Sequence, residues 1–287
     1  MIIATHNGKF HADDVFGVAL LKQLYPDAKV VRSRDQQVLD QADIVLDVGG
    51  VYDVEAKRFD HHQLSSGGRD SGILYSAFGL LWQEYGKEFA GNDDVWKKID
   101  SRLVTAIDAV DNGQDLYSVS DFGTRPFDLS EYLGLFNPIG DDEDFDSQFE
   151  VAVALATTVL LRLKAKYVAV IEAEEYFVST YAEAADKRVV VLERYVPHAS
   201  IASKQPELLY TVYPGATGNW TVQAVRPEKS QFGNRKDLPQ AWRGLNGAEL
   251  AEVSGVADAV FCHKAAFICA AESREGAIAL ASKALEA

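Results

Sequence analysis

Short apolar runs alternate with helical stripes of apolar residues over the first part of the chain. Runs at 2–5, 29–32 and 44–47 predict three strands. Between the first two, apolar residues at 15, 16, 19, 20 and 24 predict a helix over 13–25. A second stripe, which ends at Tyr85, predicts a helix that starts near Ser71. This alternation predicts an open, mostly parallel sheet flanked by helices, with ligands bound beyond the carboxyl ends of its strands.

The rest of the chain follows a different pattern. Residues 113–146 are rich in Asp, Gly and Pro and predict a long surface segment. Ser147–Glu150 has the pattern of a capping box and predicts one helix over about 148–185, although two helices broken near Lys164–Lys166 fit equally well. Apolar patterns then predict strands at 188–192, 208–213, 220–225 and 265–269, and helices at 247–253 and 273–285.

These elements indicate an α/β protein with two domains. We expect an N-terminal domain at 1–146 with a mostly parallel sheet, a long connecting helix at 147–186, and a smaller C-terminal α/β domain at 187–287.

Composition narrows the class of protein. A hydrophobic content of 47% and a charged content of 25% are typical of a soluble globular chain. The net charge of −15 argues against a broad basic face for duplex nucleic acid. The longest apolar run, 151–161, is too short for a membrane span, and the N-terminus shows no basic targeting region, so we expect a cytoplasmic protein. The two cysteines lack a CxxC spacing, which favours a reducing compartment.

Histidines and aspartates are concentrated near predicted strand ends. Four of the six histidines lie in the first 62 residues, beside acids. The clusters are His6, His11, Asp13 and Asp14; Asp47; Asp60, His61 and His62; and Asp108 and Asp111. Singly, such residues also serve as helix caps, turn residues or solvated loops. Together, and in order within one α/β domain, imidazoles and carboxylates predict a site for a divalent transition metal.

Three segments carry a resemblance to a known family. Thr5–Asp14, Arg58–Gln63 and Ala109–Gly113 resemble the melanocyte-proliferating-gene-one exonuclease family, and Asp60-His61-His62 resembles the DHH phosphoesterase superfamily. The resemblance implies a two-domain phosphoesterase that holds two metal ions between its domains. It also implies 3′–5′ exoribonuclease activity.

The resemblance also implies a role for each residue. It assigns metal ligands at His6, His11, Asp13, Asp47, His61 and Asp111, with Asp47 bridging the two ions. His62 would act on the substrate phosphate as hydrogen-bond donor or acid, with Asp60 beside it in the catalytic site. Since neighbouring side chains on an extended segment point to opposite sides, we expect His61 and His62 to diverge. His11 stands where the superfamily has an aspartate, which favours Mn²⁺ over Mg²⁺, although Mg²⁺ or another transition metal also fits.

Basic residues of the C-terminal domain are candidates for holding the substrate. They are Arg226, Arg235, Arg243, His263 and Lys264, with Phe232 and Trp242 as stacking surfaces for a terminal base. A solvated loop explains single arginines equally simply. Phe261–Lys264 resembles the family's substrate-binding segment. Because the metal ligands precede residue 112 and these residues follow residue 225, we expect the active site in a cleft between the domains.

The leading hypothesis is therefore a metal-dependent phosphodiesterase with two divalent ions that acts on RNA ends, as a 3′–5′ exoribonuclease. A second hypothesis keeps the metal pair and makes the substrate a short oligonucleotide or a small phosphoanhydride. A third is a catalytically silent metal- or nucleotide-binding module. The sequence predicts no membrane partner and leaves the oligomeric state open.

Overall fold

The protein is an α/β protein with two mixed sheets, described here from a computed structural model that covers residues 1–63, 67–119, 121–140, 144–228 and 233–287. The chain divides into two compact units, Met1–Val168 and Ala169–Ala287. No helix in these ranges is both long and apolar enough to cross a membrane.

The first unit contains a five-stranded sheet in the order β2-β1-β3-β5-β4. Its strands are β1 (Ile2–Thr5), β2 (Lys29–Arg32), β3 (Ile44–Leu46), β4 (Tyr52–Asp53) and β5 (Arg58–Phe59). The pairs β1–β2, β1–β3 and β3–β5 are parallel, and only β4–β5 is antiparallel. The predicted strands β1 and β2 are confirmed at both ends, and β3 stops one residue early, at Leu46.

Helices cover this sheet and fix the residues at its strand ends. They are α1 (Ala12–Leu24), α2 (Gln36–Leu39), α3 (Ala77–Ala90), α4 (Asp93–Ile99) and α5 (Thr105–Asp111), with a π-helical turn at Asp100–Val104 that joins the last two. Gly17 allows α1 to lie close to β3 and α3, because a Cβ there would stand 2.5 Å from Leu46 Cδ1 and 2.9 Å from Leu81 Cδ1. The carboxyl ends of β1 and β3 therefore meet at the start of α1.

The helix predicted from Ser71 begins later, at Ala77. Ser76 has extended backbone angles and its Oγ accepts a hydrogen bond from the backbone N of Gly79, so Ser76 is the N-cap. Residues 71–75 instead belong to a turn in which Gly68 and Leu74 form an isolated antiparallel bridge. The apolar stripe does form a helix, but the first apolar residues of the stripe lie before the helix begins.

The surface segment predicted over 113–146 includes a short helix, α6 (Leu129–Gly134). The long helix α7 (Phe145–Glu183) then runs unbroken through Lys164–Lys166, so the alternative of two helices is wrong. Its start is not the predicted capping box: Asp144 Oδ2 accepts hydrogen bonds from Ser147 N at 3.2 Å and Ser147 Oγ at 2.7 Å. Asp144 caps the helix because it precedes Phe145 and its carboxylate reaches the free N–H groups of the first turn.

The second unit contains a five-stranded sheet in the order β6-β7-β8-β10-β9. Its strands are β6 (Val189–Val191), β7 (Tyr210–Pro214), β8 (Trp220–Ala224), β9 (Ala259–Cys262) and β10 (Ile268–Ala271). Its helices are α8 (Ala199–Ser203), α9 (Gly247–Ser254) and α10 (Arg274–Glu286). Among the described residues of this sheet, β6–β7 is a parallel pair and the other three pairs are antiparallel. The sequence predicted the other four strands, with shifted ends, but not β9.

Candidate metal centre

The end of β1 and the first turn of α1 supply the first group of side chains. His6 directly follows β1 and is buried, with Nε2 3.3 Å from Asp14 Oδ2. Asp14 Oδ1 accepts a hydrogen bond from the backbone N of His11 at 2.9 Å, which stabilises the start of α1. Asp14 therefore stabilises the helix start and also faces His6, two roles that the sequence left as alternatives. It was not among the predicted ligands, although its position next to Asp13 indicated that it lies at the site.

Asp47 lies at the centre of the cluster. It follows β3 with a φ of 55°, a left-handed backbone that non-glycine residues rarely adopt and that turns its side chain inward. Asp47 Oδ2 is 3.1 Å from His6 Nε2, and Asp47 Oδ1 is 3.3 Å from His61 Nε2. Since each carboxylate oxygen faces a different histidine and the residue is 2% exposed, Asp47 is not a simple turn aspartate.

The segment after β5 brings in the two adjacent histidines. His61 Nε2 is within contact distance of three carboxylates: 3.1 Å from Asp111 Oδ2, 3.3 Å from Asp47 Oδ1 and 3.8 Å from Asp13 Oδ2. The His62 ring lies beside the His61 ring, with centroids 4.5 Å apart, and 65% of the His62 side chain is exposed. The expectation that the two rings point to opposite sides is wrong, because residues 60–62 have left the strand and lack its alternation.

Asp60 is what distinguishes the two histidines. Its Oδ1 lies 2.7 Å from His62 Nδ1 and accepts a hydrogen bond from the backbone N of His62 at 3.0 Å, while its Oδ2 accepts one from Gly50 N at 2.6 Å. An ionised carboxylate only accepts, so His62 Nδ1 carries the hydrogen of this bond. The other ring nitrogen, Nε2, is then the one through which neutral His62 can take up a proton.

Of the two aspartates on α5, only Asp111 joins the cluster. Asp108 is buried elsewhere: its Oδ1 accepts hydrogen bonds from Ser76 N and Oγ, and its Oδ2 from Arg69 Nε and Nη2. Gly79 leaves room for this carboxylate, since a Cβ there would lie 2.3 Å from Asp108 Oδ1. Asp108 therefore stabilises the packing of α3 against α5 and has no oxygen left for a metal.

Potential ligand atoms come together in three groups within the described residues. In each group one ligand atom from each of three side chains lies within 4.8 Å of the others. The groups are His6, His11 and Asp47; Asp47, His61 and His62; and His11, Asp13 and Asp111. Together they contain all six residues predicted as metal ligands, and also His62, which the sequence predicts to act on the substrate. Asp47 and His11 each belong to two groups, an arrangement that suits more than one cation.

Burial and mutual repulsion perturb the acids of the cluster. Burial raises the pKa of Asp13 well above its usual range, and the charges of Asp47, Asp111 and Asp14 raise it further. Burial likewise raises the pKa of Asp14 to about 7, with the nearby His6 acting against it. Asp47 differs: burial would raise its pKa, but the hydrogen bonds from His6 and His61 outweigh burial and hold the pKa below its usual range.

The two buried histidines favour their charged forms for the same reason. Burial lowers the pKa of His61, but its hydrogen bonds to Asp111 and Asp47 outweigh burial and raise the pKa to about 10. The pKa of His6 is raised too, since its bond to Asp47 and the charge of Asp14 exceed the effect of burial. Protons therefore supply the positive charge that this concentration of carboxylates requires.

These residues fit a divalent cation. Asp13 Oδ1 is buried and accepts no hydrogen bond from any described residue. An unpaired buried carboxylate oxygen is costly, and a metal ion would satisfy it. Mixed imidazole and carboxylate ligands suit Mn²⁺ and similar transition metals. The imidazole nitrogens and carboxylate oxygens of this cluster are therefore suitable ligands for such an ion.

The predicted substrate residues all lie in the second unit. Arg226 and Lys264 are exposed, and Arg226 lines a cavity of about 300 Å³ with His198 and Thr211. His263 contacts the Phe267 ring at 4.7 Å, and its Nδ1 accepts a hydrogen bond from Ala265 N. The contact of each with a substrate stays a prediction.

Two of the predicted cations already bind protein groups. Arg235 donates to the backbone carbonyls of Leu208 at 3.0 Å, Ser203 at 2.5 Å and Gln205. Arg243 donates to Asp237 Oδ2 at 2.8 Å. Their roles toward a substrate also stay predictions.

The two predicted stacking residues have different outcomes. Trp242 is 4% exposed within the core of the second unit, so its proposed role as a stacking surface is wrong. Phe232 lies outside the described residues.

The chain is similar to members of one protein family over nearly its whole length. The family model MYG1_exonuc, described as uncharacterised protein family UPF0160, matches residues 2–285. A MYG1 protein of Caenorhabditis elegans is 33% identical over 99% of this chain and 95% of its own. The MYG1 exonuclease of Homo sapiens is 32% identical over 99% of this chain and 85% of its own. A MYG1 protein of Chlamydia pneumoniae is 32% identical over 95% and 92%, respectively.

Proposed function

Because the chain belongs to the MYG1 exonuclease family, as its motifs indicated, we propose that it is a metal-dependent phosphodiesterase that removes nucleotides from the 3′ end of RNA with two divalent cations, most suitably Mn²⁺. That it is a nuclease follows from the names of its relatives. The metal requirement, the preference for RNA and the 3′–5′ direction are our proposal.

One observation carries the proposal. His61 Nε2 lies within 3.8 Å of carboxylates from three separate elements, those of Asp13, Asp47 and Asp111. Three acids surround one imidazole, and no described residue donates a hydrogen bond to Asp13 Oδ1; a cation stabilises such an arrangement, whereas a purely structural core avoids it.

The ligand residues divide into those that hold the ions and one that joins them. The cations would be held by His6, His11, Asp13, His61 and Asp111, with Asp47 as the ligand shared between them, since its two oxygens face different histidines. When bound, the cations supply Lewis acidity that activates a water nucleophile and offsets the charge of the phosphate.

His62 and Asp60 have a separate role in this proposal. Asp60 holds His62 Nδ1–H and so fixes the ring and its tautomer. Protonated His62 can then donate the proton on Nε2 to the leaving oxygen of the broken P–O bond, the 3′ oxygen of the shortened strand, which would otherwise depart as an alkoxide. The exposure of the side chain, 65%, leaves the ring accessible to a substrate from solvent.

The test is nucleotide release from a short RNA labelled at its 5′ or 3′ end, with a DNA of the same sequence beside it. With Mn²⁺ present, we expect immediate release of the 3′ label as mononucleotide and stepwise shortening of the 5′-labelled strand, with slower cleavage of DNA. Asp47→Ala and His62→Ala proteins, purified identically, exclude a contaminating nuclease.

Each alternative has its own outcome in this assay. Hydrolysis of pyrophosphate or dinucleotides, with longer RNA intact, would replace the exonuclease by a small-substrate phosphohydrolase. Stable Mn²⁺ binding with no hydrolysis of any of these substrates would indicate a silent binding module. RNA cleavage that persists in chelator would overturn the metal mechanism.

A further inference from the structure

His11 differs from the other predicted ligands in how it is held. His6 follows a strand and is buried, whereas His11 is exposed and follows the loop 7–10, which is neither strand nor helix. Yet His11 belongs to two of the three groups of potential ligand atoms, one with His6 and Asp47, the other with Asp13 and Asp111. Its backbone is held on one side by the start of α1, where Asp14 Oδ1 accepts a hydrogen bond from His11 N, and on the other side by whatever fixes that loop.

Asn137 fixes the loop at Phe10. Asn137 Oδ1 accepts a hydrogen bond from Phe10 N at 2.9 Å, and Asn137 Nδ2 donates one to Phe10 O, also at 2.9 Å. One side-chain amide thus binds both backbone groups of the residue next to His11, from 127 positions away in the sequence. Two opposed hydrogen bonds restrain both the position and the rotation of this peptide segment.

Arg32, the last residue of β2, fixes the same loop at Gly8. Its Nη2 donates to Gly8 O at 2.6 Å and its Nη1 to Asp146 Oδ1 at 2.8 Å. The guanidinium lies 4.4 Å from the centroid of the Phe149 ring, which meets Phe10 edge-on at 5.5 Å. The Arg32 side chain is only 4% exposed, and it connects the loop to the first turns of α7 through these contacts.

We infer that Asn137 and Arg32 are positioning residues of the metal centre, which hold the loop 7–10 so that His11 can serve as a ligand. The inference rests on the proposed metal centre. Neither side chain belongs to the groups of potential ligand atoms. Asn137 would therefore act through the loop that ends at His11, and Arg32 would do so while its charge also acts on Asp14. Outer partners of this kind commonly alter metal affinity by about 10–100-fold when removed.

The experiment measures Mn²⁺ affinity by calorimetric titration for the full-length protein and five variants. These are Asn137→Ala, His11→Ala, the double variant of the two, Arg32→Lys, and Asn92→Ala as matched control. Asn92 likewise binds backbone groups, accepting hydrogen bonds from Asp94 N and Val95 N at the start of α4. Its removal perturbs stability without touching the loop 7–10.

We expect Asn137→Ala to weaken Mn²⁺ binding about tenfold and Asn92→Ala to leave it unchanged. In the His11→Ala background, Asn137→Ala should have less than about a twofold effect, because the residue through which it acts is gone. Urea midpoints in chelator should fall no further for Asn137→Ala than for Asn92→Ala. Arg32→Lys, which keeps the charge but lacks the fork that reaches two acceptors, should weaken binding as well.

Two results would overturn the inference while leaving the metal centre in place: wild-type Mn²⁺ affinity in Asn137→Ala, or an equal loss with and without His11. A wild-type protein that binds no Mn²⁺ would instead overturn the proposed metal centre and the inference with it.

Discussion

Asp60 Oδ1 and His62 Nδ1 are 2.7 Å apart. This hydrogen bond gives His62 a partner of its own, whereas Nε2 of the adjacent His61 faces three carboxylates. We expect His62→Ala to lower turnover by about 10²-fold, the usual contribution of a general acid, while metal content stays normal. His61→Ala should lose metal as well. Metal analysis beside steady-state kinetics on RNA checks both. Equal metal loss in the two variants would contradict this division.

Asp47 offers a second prediction, because its two oxygens face His6 and His61 separately. Asp47→Ala should weaken Mn²⁺ binding by more than about 100-fold, more than the loss of an outer partner does. The matched control is Asp43→Ala, which removes an exposed carboxylate that accepts a hydrogen bond from Ile2 N at the same sheet. Mn²⁺ titration of both variants checks this; an affinity for Mn²⁺ as high in Asp47→Ala as in Asp43→Ala would contradict the role of Asp47 as a shared ligand.

The pKa shifts of the cluster predict the pH dependence of stability in chelator. The raised pKa values of Asp13 and Asp14, about 7 for the latter, mean that their stabilising contribution is complete below pH about 4 and is lost as pH rises. The raised pKa values of His6 and His61 add a loss that begins near pH 6.5. The lowered pKa of Asp47 stabilises the fold by an amount that is already complete above pH about 4, so it does not change the free energy of unfolding between pH 5 and pH 8. The free energy of unfolding should therefore fall from pH 5 to pH 8.

Urea denaturation at intervals of one pH unit, with chelator or with Mn²⁺, measures this dependence. Mn²⁺ should restore most stability at pH 8, because a cation there replaces the missing protons. In chelator, Asp13→Asn should make the fall shallower, since it removes the buried acid. A protein that becomes more stable from pH 5 to pH 8 in chelator would show that the cluster does not control the pH dependence.

Arg235 and Arg226 should respond differently to the same substitution. Arg235→Ala leaves the carbonyls of Ser203 and Leu208 without their donor and should lower the free energy of unfolding by about 1–3 kcal/mol. Arg226→Ala removes an exposed side chain and should change it by less than about 0.5 kcal/mol. If Arg226 contacts the substrate as the sequence predicts, Arg226→Ala should raise KM for an oligoribonucleotide without this loss of stability. Matched denaturation curves and kinetics decide.

Local sequence patterns were enough to predict the α/β class, both ends of β1 and β2, the helical character of α1 and α7, and the six potential ligands. These features are local: strand and helix periodicities repeat within a dozen residues, and the ligand types are read directly from the side chains. The order of the Asp and His clusters at strand ends was enough to predict that they meet, because the carboxyl ends of parallel strands share one edge of a sheet.

Which of two neighbouring or similar residues lies in the metal centre, and which packs in the core, depends on tertiary contacts. Asp108 and Asp111 are equivalent in sequence, but Arg69 and Ser76 engage both oxygens of Asp108 and leave Asp111 to face His61. Trp242 became a core residue, and the bond from Asn137 to Phe10 joins positions 127 apart. Such assignments depend on partners brought together by packing, and no local pattern contains the identity of a partner that distant in the chain.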